Sequence, residues 1–208
     1  MKKLLVLLFS LFLLSSPSVF ADDISDFEIE GIRIGDSLLD HMTEEKILEE
    51  IEKNKDGYSY KKESNKYVEV YLWKDFPIYK NGVSVLIKNN PISKYISDVN
   101  EKYTILNIRG MINYIEDFDS CKEKKDEVVD DLSKIFPNAQ KSEYMLDHGA
   151  DTSGNSIADI TDFDFTSGGD ARVYCTNFEE TFRLQRRWGE GLNVSISSKE
   201  IVSWFQNN

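Results

Sequence analysis

The segment SIADITDFDFTSGGDARVYCTNF, residues 156–178, carries the strongest information about the architecture. Apolar residues alternate with polar ones on both sides of Gly168 and Gly169, a pattern that predicts a β-hairpin. The second strand of this hairpin carries Cys175, one of only two cysteines in the chain. The hairpin therefore predicts both a piece of antiparallel sheet and a point at which that sheet is cross-linked.

The register of the hairpin follows from the cost of burying charge. A two-residue turn would place Asp162 opposite Cys175 and turn acidic side chains towards the core. A loop with an odd number of residues instead pairs Phe163 with Val173 and keeps Asp164 off the core face. Because an unpaired carboxylate is unfavourable in an apolar interior, we expect the odd loop.

The other cysteine, Cys121, lies in SCKEKKDEVVDDLSKIF, residues 120–136, which is typical of a helix with a capping box that begins at Ser120. The apolar stripe of this helix consists of Val128, Leu132 and Ile135. Cys121 falls on the same helix face as the stripe, and Cys175 shares a strand face with Val173. We therefore predict a disulfide between Cys121 and Cys175 that ties the helix to the sheet.

This disulfide would close a loop of roughly 55 residues and stabilise the fold by about 4 kcal/mol if chain entropy dominates. The alternative is a reactive thiol, because a cysteine in the first turn of a helix has a lowered pKa. The chain has no third cysteine and no C-x-x-C pair. We therefore favour the structural disulfide.

The chain begins with the pattern of a secretory signal peptide. Two lysines precede an apolar run over residues 4–14, and Val19 and Ala21 supply small residues before a cleavage site. The alternative, a retained membrane anchor, is disfavoured because the run is too short to span a bilayer. We predict a signal peptide over residues 1–21 and a mature protein, beginning at Asp22, that is periplasmic or secreted.

The composition indicates a soluble, acidic, folded protein. The formal charge is −12, and it becomes −14 without the leader, which holds two lysines and no acidic residue. Such a surface repels nucleic acid and anionic lipid headgroups. With 40% apolar residues, the chain is not a disordered acidic tail. No apolar run after the leader is long enough to predict an integral membrane segment.

The order of predicted elements indicates an α+β fold. A first helical region begins at Asp36 or Ser37 and restarts at Thr43, and strands follow, with a hairpin predicted at Asn81-Gly82. The later part repeats helix and then strands, with FRLQRRW and LNVSIS, residues 182–188 and 192–197, as a final hairpin. The segment EIVSWFQ then ends the chain as a short helix.

This order predicts an antiparallel sheet covered on one face by helices, with the helix–meander plan occurring twice. We expect one α+β domain over residues 22–208. Two helix–meander halves, residues 22–116 and 117–208, are the possible subdivision within it.

The opening of the mature chain allows a comparison with known families. Gly31 and Gly35, spaced as G-x-x-x-G, precede a short helix pair and a meander. This order resembles the small α/β domain of outer-membrane assembly lipoproteins and the β-lactamase-inhibitor-like repeat over residues 27–90, without the lipidated cysteine. The whole arrangement, with Cys121 on a helix and the ending LNVSISSKEIVSWFQ, also resembles exported bacterial proteins that carry no assigned activity. The resemblance implies a non-catalytic envelope domain.

An acidic segment is the strongest candidate for a metal site. Residues 142–171 contain seven acidic residues and no lysine or arginine. Carboxylate oxygens at alternating loop positions are suitable calcium ligands, and the candidates here are Asp151, Ser153, Asn155 and Asp162. Ser156 replaces the glycine of a calcium loop, and Asp162 replaces its final glutamate. A solvated acidic hairpin therefore stays open beside calcium, and no other cofactor is predicted.

Catalytic signatures are weak. His41 and His148 are the only histidines and do not have the spacing of a zinc site, and no G-x-S-x-G motif is present. Asp162 and Asp164 share a strand face roughly 7 Å apart, which leaves a carboxylate-dependent hydrolase open. An exposed strand face explains the two acids as well, so no catalytic residue is assigned.

Aromatic residues suggest binding instead. Tyr67, Tyr71 and Trp73 share a predicted strand face, and Arg186, Arg187 and Trp188 lie at the predicted tip of the final hairpin. Packing explains each group, but tyrosine, tryptophan and arginine are also the usual anchors of interfaces. We expect a non-catalytic binding or envelope-assembly domain with a protein or saccharide partner. A calcium-stabilised binding domain is the alternative.

Overall fold

Groups of strands are separated by helices along the chain. The computed structural model describes Ile24, residues 27–59, Lys61, residues 66–89 and residues 102–207. The predicted signal peptide lies outside these residues. The strands are β1 (Glu28–Ile29), β2 (Ile32–Arg33), β3 (Tyr67–Leu72), β4 (Val83–Lys88), β5 (Ile105–Asn113), β6 (Gln140–Asp147), β7 (Ile157–Asp164), β8 (Asp170–Asn177) and β9 (Gly191–Ser197). The α-helices are α1 (Glu44–Asn54), α2 (Phe118–Ile135), α3 (Glu180–Arg186) and α4 (Lys199–Asn207).

Seven of the strands form one antiparallel sheet, which confirms the predicted class. Their order is β3-β4-β5-β9-β8-β7-β6, and β1 and β2 form a separate small sheet. The first half of the chain contributes β3 to β5, and the second half contributes β6 to β9 in reverse order. The two halves meet where β5 pairs with β9, from Asn107 opposite Ser197 to Asn113 opposite Gly191.

The sheet has two faces of different character. One face, which we call the covered face, packs its apolar residues against α1 and α2. Examples of these buried residues are Val70, Val85, Ile108, Val173 and Val194. The prediction that helices cover only one face is wrong, because α4 packs against the opposite face, where Ile201 and Trp204 contact Tyr67 and Leu86.

The predicted disulfide is confirmed. Cys121 of α2 is bonded to Cys175 of β8, the two Cα atoms lie 6.0 Å apart, and both residues are fully buried. The helix begins three residues earlier than its capping box predicts, because the carboxylate of Asp117 rather than the side chain of Ser120 caps it, by accepting the Ser120 N–H. Ile135 is exposed rather than part of the buried stripe, and Val129 is buried instead.

The β7–β8 hairpin has the odd loop that its sequence predicts. Asp164 pairs with Asp170, so five residues connect the strands, and Phe163 faces the core. The register differs from the predicted one by two residues, since Phe163 lies opposite Ala171 rather than Val173. Phe165 explains the longer loop, because its ring packs on Phe136 with a centroid distance of 4.7 Å.

The hairpin predicted at Asn81-Gly82 is wrong in its first strand. Gly82 immediately precedes β4, but β4 pairs with β3, beginning with Leu72 opposite Val83. The segment between them does not join a ladder, because the N–H groups of Ile78 and Tyr79 donate to the carboxylate of Glu30 at 2.7 and 2.8 Å.

The final hairpin is also wrong, because the segment predicted as its first strand is α3. The carboxylate of Glu179 accepts the N–H of Phe182 at 2.7 Å and caps the helix start. Arg187, in the left-handed region with φ of 56°, ends the helix by donating its N–H to Arg183. Arg186, Arg187 and Trp188 therefore lie at a helix end and not at a hairpin tip.

The predicted break in the first helical region is confirmed. Ser37 caps a short 3₁₀-helix over Leu38–Asp40, and Thr43 precedes α1, which begins at Glu44. His41 lies at the joint between the two helices.

Candidate binding groove on the second face of the sheet

A groove of about 730 Å³ runs along the face of the sheet opposite α1 and α2. We call it the sheet groove. Its floor comes from β5, β7, β8 and β9, while α4 contributes Val202 and Phe205 and the edge strand β6 contributes Tyr144 and Leu146. The volume falls within the range of small-molecule sites, which is about 300–1,000 Å³. The groove is therefore large enough for a ligand.

Strand alternation explains why the floor of the sheet groove is polar. Successive residues of a strand point to opposite faces, so the residues between the core positions line the groove. On the four floor strands β7 contributes the apolar residues Ala158 and Ile160, and the polar lining residues are Asn107, Arg109, Asp162, Asp164, Asp170, Arg172, Tyr174, Thr176, Ser195 and Ser197. The groove thus presents donors, acceptors and aromatic rings along the same strands that build the core.

The first ion pair of the groove joins Arg172 to Asp162, which face each other across β7 and β8. Arg172 Nε donates to Asp162 Oδ1 at 2.6 Å and Nη2 donates to Oδ2 at 2.9 Å, a two-bond fork. The hydroxyl of Tyr144 also donates to Asp162 Oδ2, at 2.7 Å. Burial acts to lower the pKa of Arg172, but Asp162 outweighs it and raises that pKa.

The second ion pair joins Arg109 of β5 to Glu69 of β3. Arg109 Nε also donates to the hydroxyl of Ser84 at 3.2 Å, and Nη2 lies 3.4 Å from the hydroxyl of Tyr71. Burial, followed by the charge of Glu69, raises the pKa of Tyr71 to about 12. This phenol therefore stays neutral at physiological pH, and the pair holds a fixed network of hydrogen bonds.

A third carboxyl group, that of Asp170, lies beside the first ion pair. Its Oδ1 is buried and has no hydrogen-bond partner among the residues that the structure describes. Burial raises the pKa of Asp170, against the effects of a hydrogen bond with Ser197 and of the charge of Arg172. The groove therefore contains one acid whose ionised form is disfavoured by its surroundings.

One end of the sheet groove meets a group of packed rings, which we call the aromatic cluster and which consists of His148, Phe178, Phe182 and Trp188. His148 lines the groove, and its ring lies 4.9 Å from that of Phe178 and 5.9 Å from that of Trp188. Burial lowers the pKa of His148, against the effect of Asp151. Because His148 belongs to both, the aromatic cluster is continuous with the groove.

The predicted binding residues of the final hairpin separate into two roles. Arg186 lies over the rings of Phe182 and Trp188, at 5.7 and 5.9 Å from their centroids, and Trp188 is 41% exposed. Arg187 instead supplies the backbone conformation that ends α3. The structure therefore brings Trp188 and Arg186 together next to the groove.

The four predicted calcium ligands divide between two places. Asp151, Ser153 and Asn155 share a turn, in which the carboxylate of Asp151 accepts the N–H and the hydroxyl of Ser153 and the hydroxyl of Ser156, at 2.6 to 2.9 Å. Asp162 lies on β7 in the fork of Arg172. Within residues 27–59, 66–89 and 102–207, no group of three or more His, Cys, Asp or Glu side chains is arranged to hold a metal ion.

A second cavity, of about 450 Å³, lies between α1 and β3 beside His41. Burial, followed by the charge of Lys74, lowers the pKa of His41. Tyr67 and Tyr71 lie at alternate positions of β3 and so share one of its faces, as predicted, but Trp73 follows the end of β3 and its ring is stacked on that of Tyr71, at 5.4 Å. Trp73 is 72% exposed and lines this second cavity.

The sequence reasoning missed Arg109 and Glu69 as site residues and took Asp162 for a metal ligand or an acid. Strand alternation was the available signal, because it places Arg109 among the polar positions of β5. Nothing local, however, indicates that β5 lies two strands from β8, where Arg172 is found.

The comparisons with known proteins add no assignment. The chain matches no protein-family model, no curated protein and no solved structure. The resemblance to envelope lipoprotein domains and inhibitor-like repeats therefore stays a prediction. Of the helices that the structure describes, none combines the length and the apolar character needed to cross a membrane.

Proposed function

We propose that the chain is an exported, non-catalytic binding domain whose sheet groove takes a neutral, polyhydroxylated ligand of the saccharide class. The observation that carries the proposal is the composition of the groove floor, in which two arginine–carboxylate pairs lie among tyrosine rings and hydroxyl groups. We place the protein in the periplasm or outside the cell. The buried disulfide supports export, because disulfides persist in oxidising compartments.

The charge of the groove argues for a neutral ligand. Each arginine is already neutralised by a carboxylate, Arg109 by Glu69 and Arg172 by Asp162. A phosphate or carboxylate ligand would have to compete with these fixed partners and approach an acidic protein of formal charge −12. Anionic ligands are therefore poor candidates for this site.

The hydrogen-bonding groups of the groove suit hydroxyl groups. The floor offers carboxylates that accept, guanidinium and amide groups that donate, and the hydroxyls of Thr176, Ser195 and Ser197, which do both. A sugar hydroxyl also donates and accepts, so it can satisfy either kind of neighbour. The rings of Tyr144 and Tyr174 offer apolar surface for the C–H face of a sugar ring.

The geometry supports binding rather than hydrolysis. Glycosidic acid–base chemistry needs two carboxyl groups free to reach the substrate. Both oxygens of Asp162 are engaged by Arg172 and Tyr144, and Asp164 is exposed and pairs by register with Asp170. A carboxylate-dependent hydrolase would have to release Asp162 from this fork.

A glycan microarray tests the proposed function. The exported chain is expected to retain neutral oligosaccharides, such as cello-, malto- or chito-oligosaccharides, and Arg172→Met is expected to lose them. The control is Lys134→Gln on the exposed side of α2, which should bind as the parent does. Failure of all neutral glycans to bind would refute the saccharide assignment, and release of shorter sugars would refute the non-catalytic one.

Two alternatives stay predictions with their own tests. A protein partner is favoured by the aromatic cluster, where Leu184 and Trp188 are exposed beside Arg186. A Trp188→Ala variant that keeps its stability should then lose capture of an envelope protein. Calcium stabilisation is tested by the melting temperature with and without the ion.

A further inference from the structure

The edge strand β6 differs from the rest of the sheet. It is the last strand in the order, and its eight residues are all exposed, including the large apolar side chains of Tyr144, Met145 and Leu146. Among the residues that the structure describes, no strand pairs with its outer edge. Long edge strands with apolar side chains pair readily with another strand unless charge or cover prevents it.

A second copy of the same strand can pair with β6 only in certain registers. Residues directly opposite each other in an antiparallel ladder have their side chains on the same face of the sheet. A pair of β6 strands related by a two-fold axis must therefore be centred on one residue that lies opposite the same residue of the second copy. Centring on Glu143 places two carboxylates together, and centring on Met145 places Glu143 opposite Asp147. Both registers bring like charges together, which is unfavourable for cross-strand pairs.

The register centred on Tyr144 has no such conflict. It uses residues 141 to 147 on both copies, more of β6 than a register centred on Ser142. It sets Lys141 opposite Asp147 twice, Ser142 opposite Leu146, Glu143 opposite Met145 and Tyr144 opposite itself. Opposite charges meet at both ends and the two tyrosine rings meet at the centre, so β6 is complementary to itself.

We propose that two copies of the chain associate through β6 in this register, with Tyr144 on the two-fold axis. The two seven-stranded sheets then form one continuous antiparallel sheet. Within one chain Lys141 Nζ contacts Glu143 Oε1 at 2.8 Å, with both side chains exposed. Exposed pairs of this kind are weak, so Lys141 exchanges Glu143 for Asp147 of the second copy at little cost.

The association brings the two sheet grooves together. A two-fold axis perpendicular to the sheet keeps the same face of both copies on the same side, so the grooves open in one direction. Tyr144 and Leu146 line the groove of their own chain, and Tyr144 lies on the two-fold axis with Leu146 two residues from it. The second copy therefore adds its own Tyr144 and Leu146 beside the groove wall. This inference does not depend on which ligand the groove takes.

Charge reversal tests the proposal. Sedimentation across a dilution series should give twice the chain mass for the exported protein. Lys141→Asp and Asp147→Lys should each halve that mass, because like charges then meet at both ends of the ladder. Mixed in equal amounts, the two single variants should restore the dimer, because every end pair is again opposite in charge.

The controls separate this interface from a general effect of charge. Lys134→Asp on the exposed side of α2 makes the same change of charge as Lys141→Asp and should remain dimeric. Each variant should keep the parent's melting temperature, measured at the lowest concentration of the series. A parent that sediments as a monomer throughout, or single variants that remain dimers, would overturn the proposal.

Discussion

The two faces of the sheet are built from the same strands, but their side chains find their partners in different ways. On the covered face, apolar residues and Cys175 pack against α1 and α2, and the helices complete the interior. On the groove face, Arg172 pairs with a carboxylate on the neighbouring strand β7 and Arg109 pairs with one on β3, two strands away, and a cavity lies above both pairs. The covered face therefore carries the stability of the fold, and the groove face is available for a ligand.

The ion pairs show the same contrast. On the covered face, Lys125 of α2 contacts Asp159 of β7 at 2.7 Å, and their side chains are 6% and 18% exposed. On the groove face, the side chain of Arg172 in the pair with Asp162 is 41% exposed. Exposure to water weakens the second pair and also makes its remaining donor groups accessible.

Removing the disulfide should give the largest effect on stability. The double variant Cys121→Ala/Cys175→Ala frees a loop of 54 residues, and about 4 kcal/mol of unfolding free energy should be lost. Urea denaturation of the variant and the parent, followed by circular dichroism, measures the difference. A loss of unfolding free energy as small as that caused by Arg172→Met on the groove face would contradict the claim that the covered face carries the stability of the fold.

Replacing one basic side chain on each face by methionine compares the stability contributions of the two faces with the same kind of substitution. Lys125→Met leaves Asp159 without its partner in a pair whose lysine is only 6% exposed, and should lower the unfolding free energy by about 3 kcal/mol. Arg172→Met leaves Asp162 with the hydroxyl of Tyr144 as a remaining hydrogen-bond donor, in a pair whose arginine is 41% exposed, and should lower it by about 1 kcal/mol or less. Urea denaturation of both variants checks this, and equal losses would contradict the account.

The pH dependence of stability should be sensitive to Asp170 on the groove face. Because its pKa is raised in the folded protein above its ordinary value of 3.8, stability is lost as pH rises from that value through the folded pKa. Asp170→Asn should therefore match the parent in acid and be more stable than the parent at neutral pH.

Thermal melts of the parent and Asp170→Asn across the pH range measure this difference. Asp130→Asn on the exposed side of α2 is the control and should follow the parent at every pH. A variant that is less stable than the parent at neutral pH would show that the carboxylate of Asp170 stabilises the fold.

Calcium should have the smallest effect. The oxygens of Asp151 already accept three hydrogen bonds from Ser153 and Ser156, so an ion would gain little by replacing them. Millimolar calcium should leave the melting temperature of the parent unchanged. A rise that Asp151→Asn abolishes would restore the calcium hypothesis.

The covered face was predictable from the sequence because its determinants are local. Cys121 and Cys175 each lie on the apolar side of a regular element, and the cost of turning Asp162 towards the apolar core selected the odd hairpin loop. The α3 segment was not predictable in the same way, because Glu179 is not among the residues preferred at an N-cap and Arg187 is a non-glycine residue in the left-handed region.

The sheet groove depends on contacts between distant parts of the chain. The antiparallel pairing of β5 with β9 brings Arg109 into the same floor as Arg172. No residue pattern near either arginine specifies that pairing. The sequence therefore predicts which residues are polar and exposed on each strand, but not that they converge.

Backbone amide NMR during titration with a neutral oligosaccharide locates the binding site. With the best ligand from the glycan microarray, we expect chemical-shift changes that saturate and are confined to the groove strands, including Arg109, Arg172 and Tyr174. Arg172→Met should abolish them. Saturable changes confined instead to the covered face, or to the second cavity around Trp73, would contradict the assignment of the sheet groove as the ligand site.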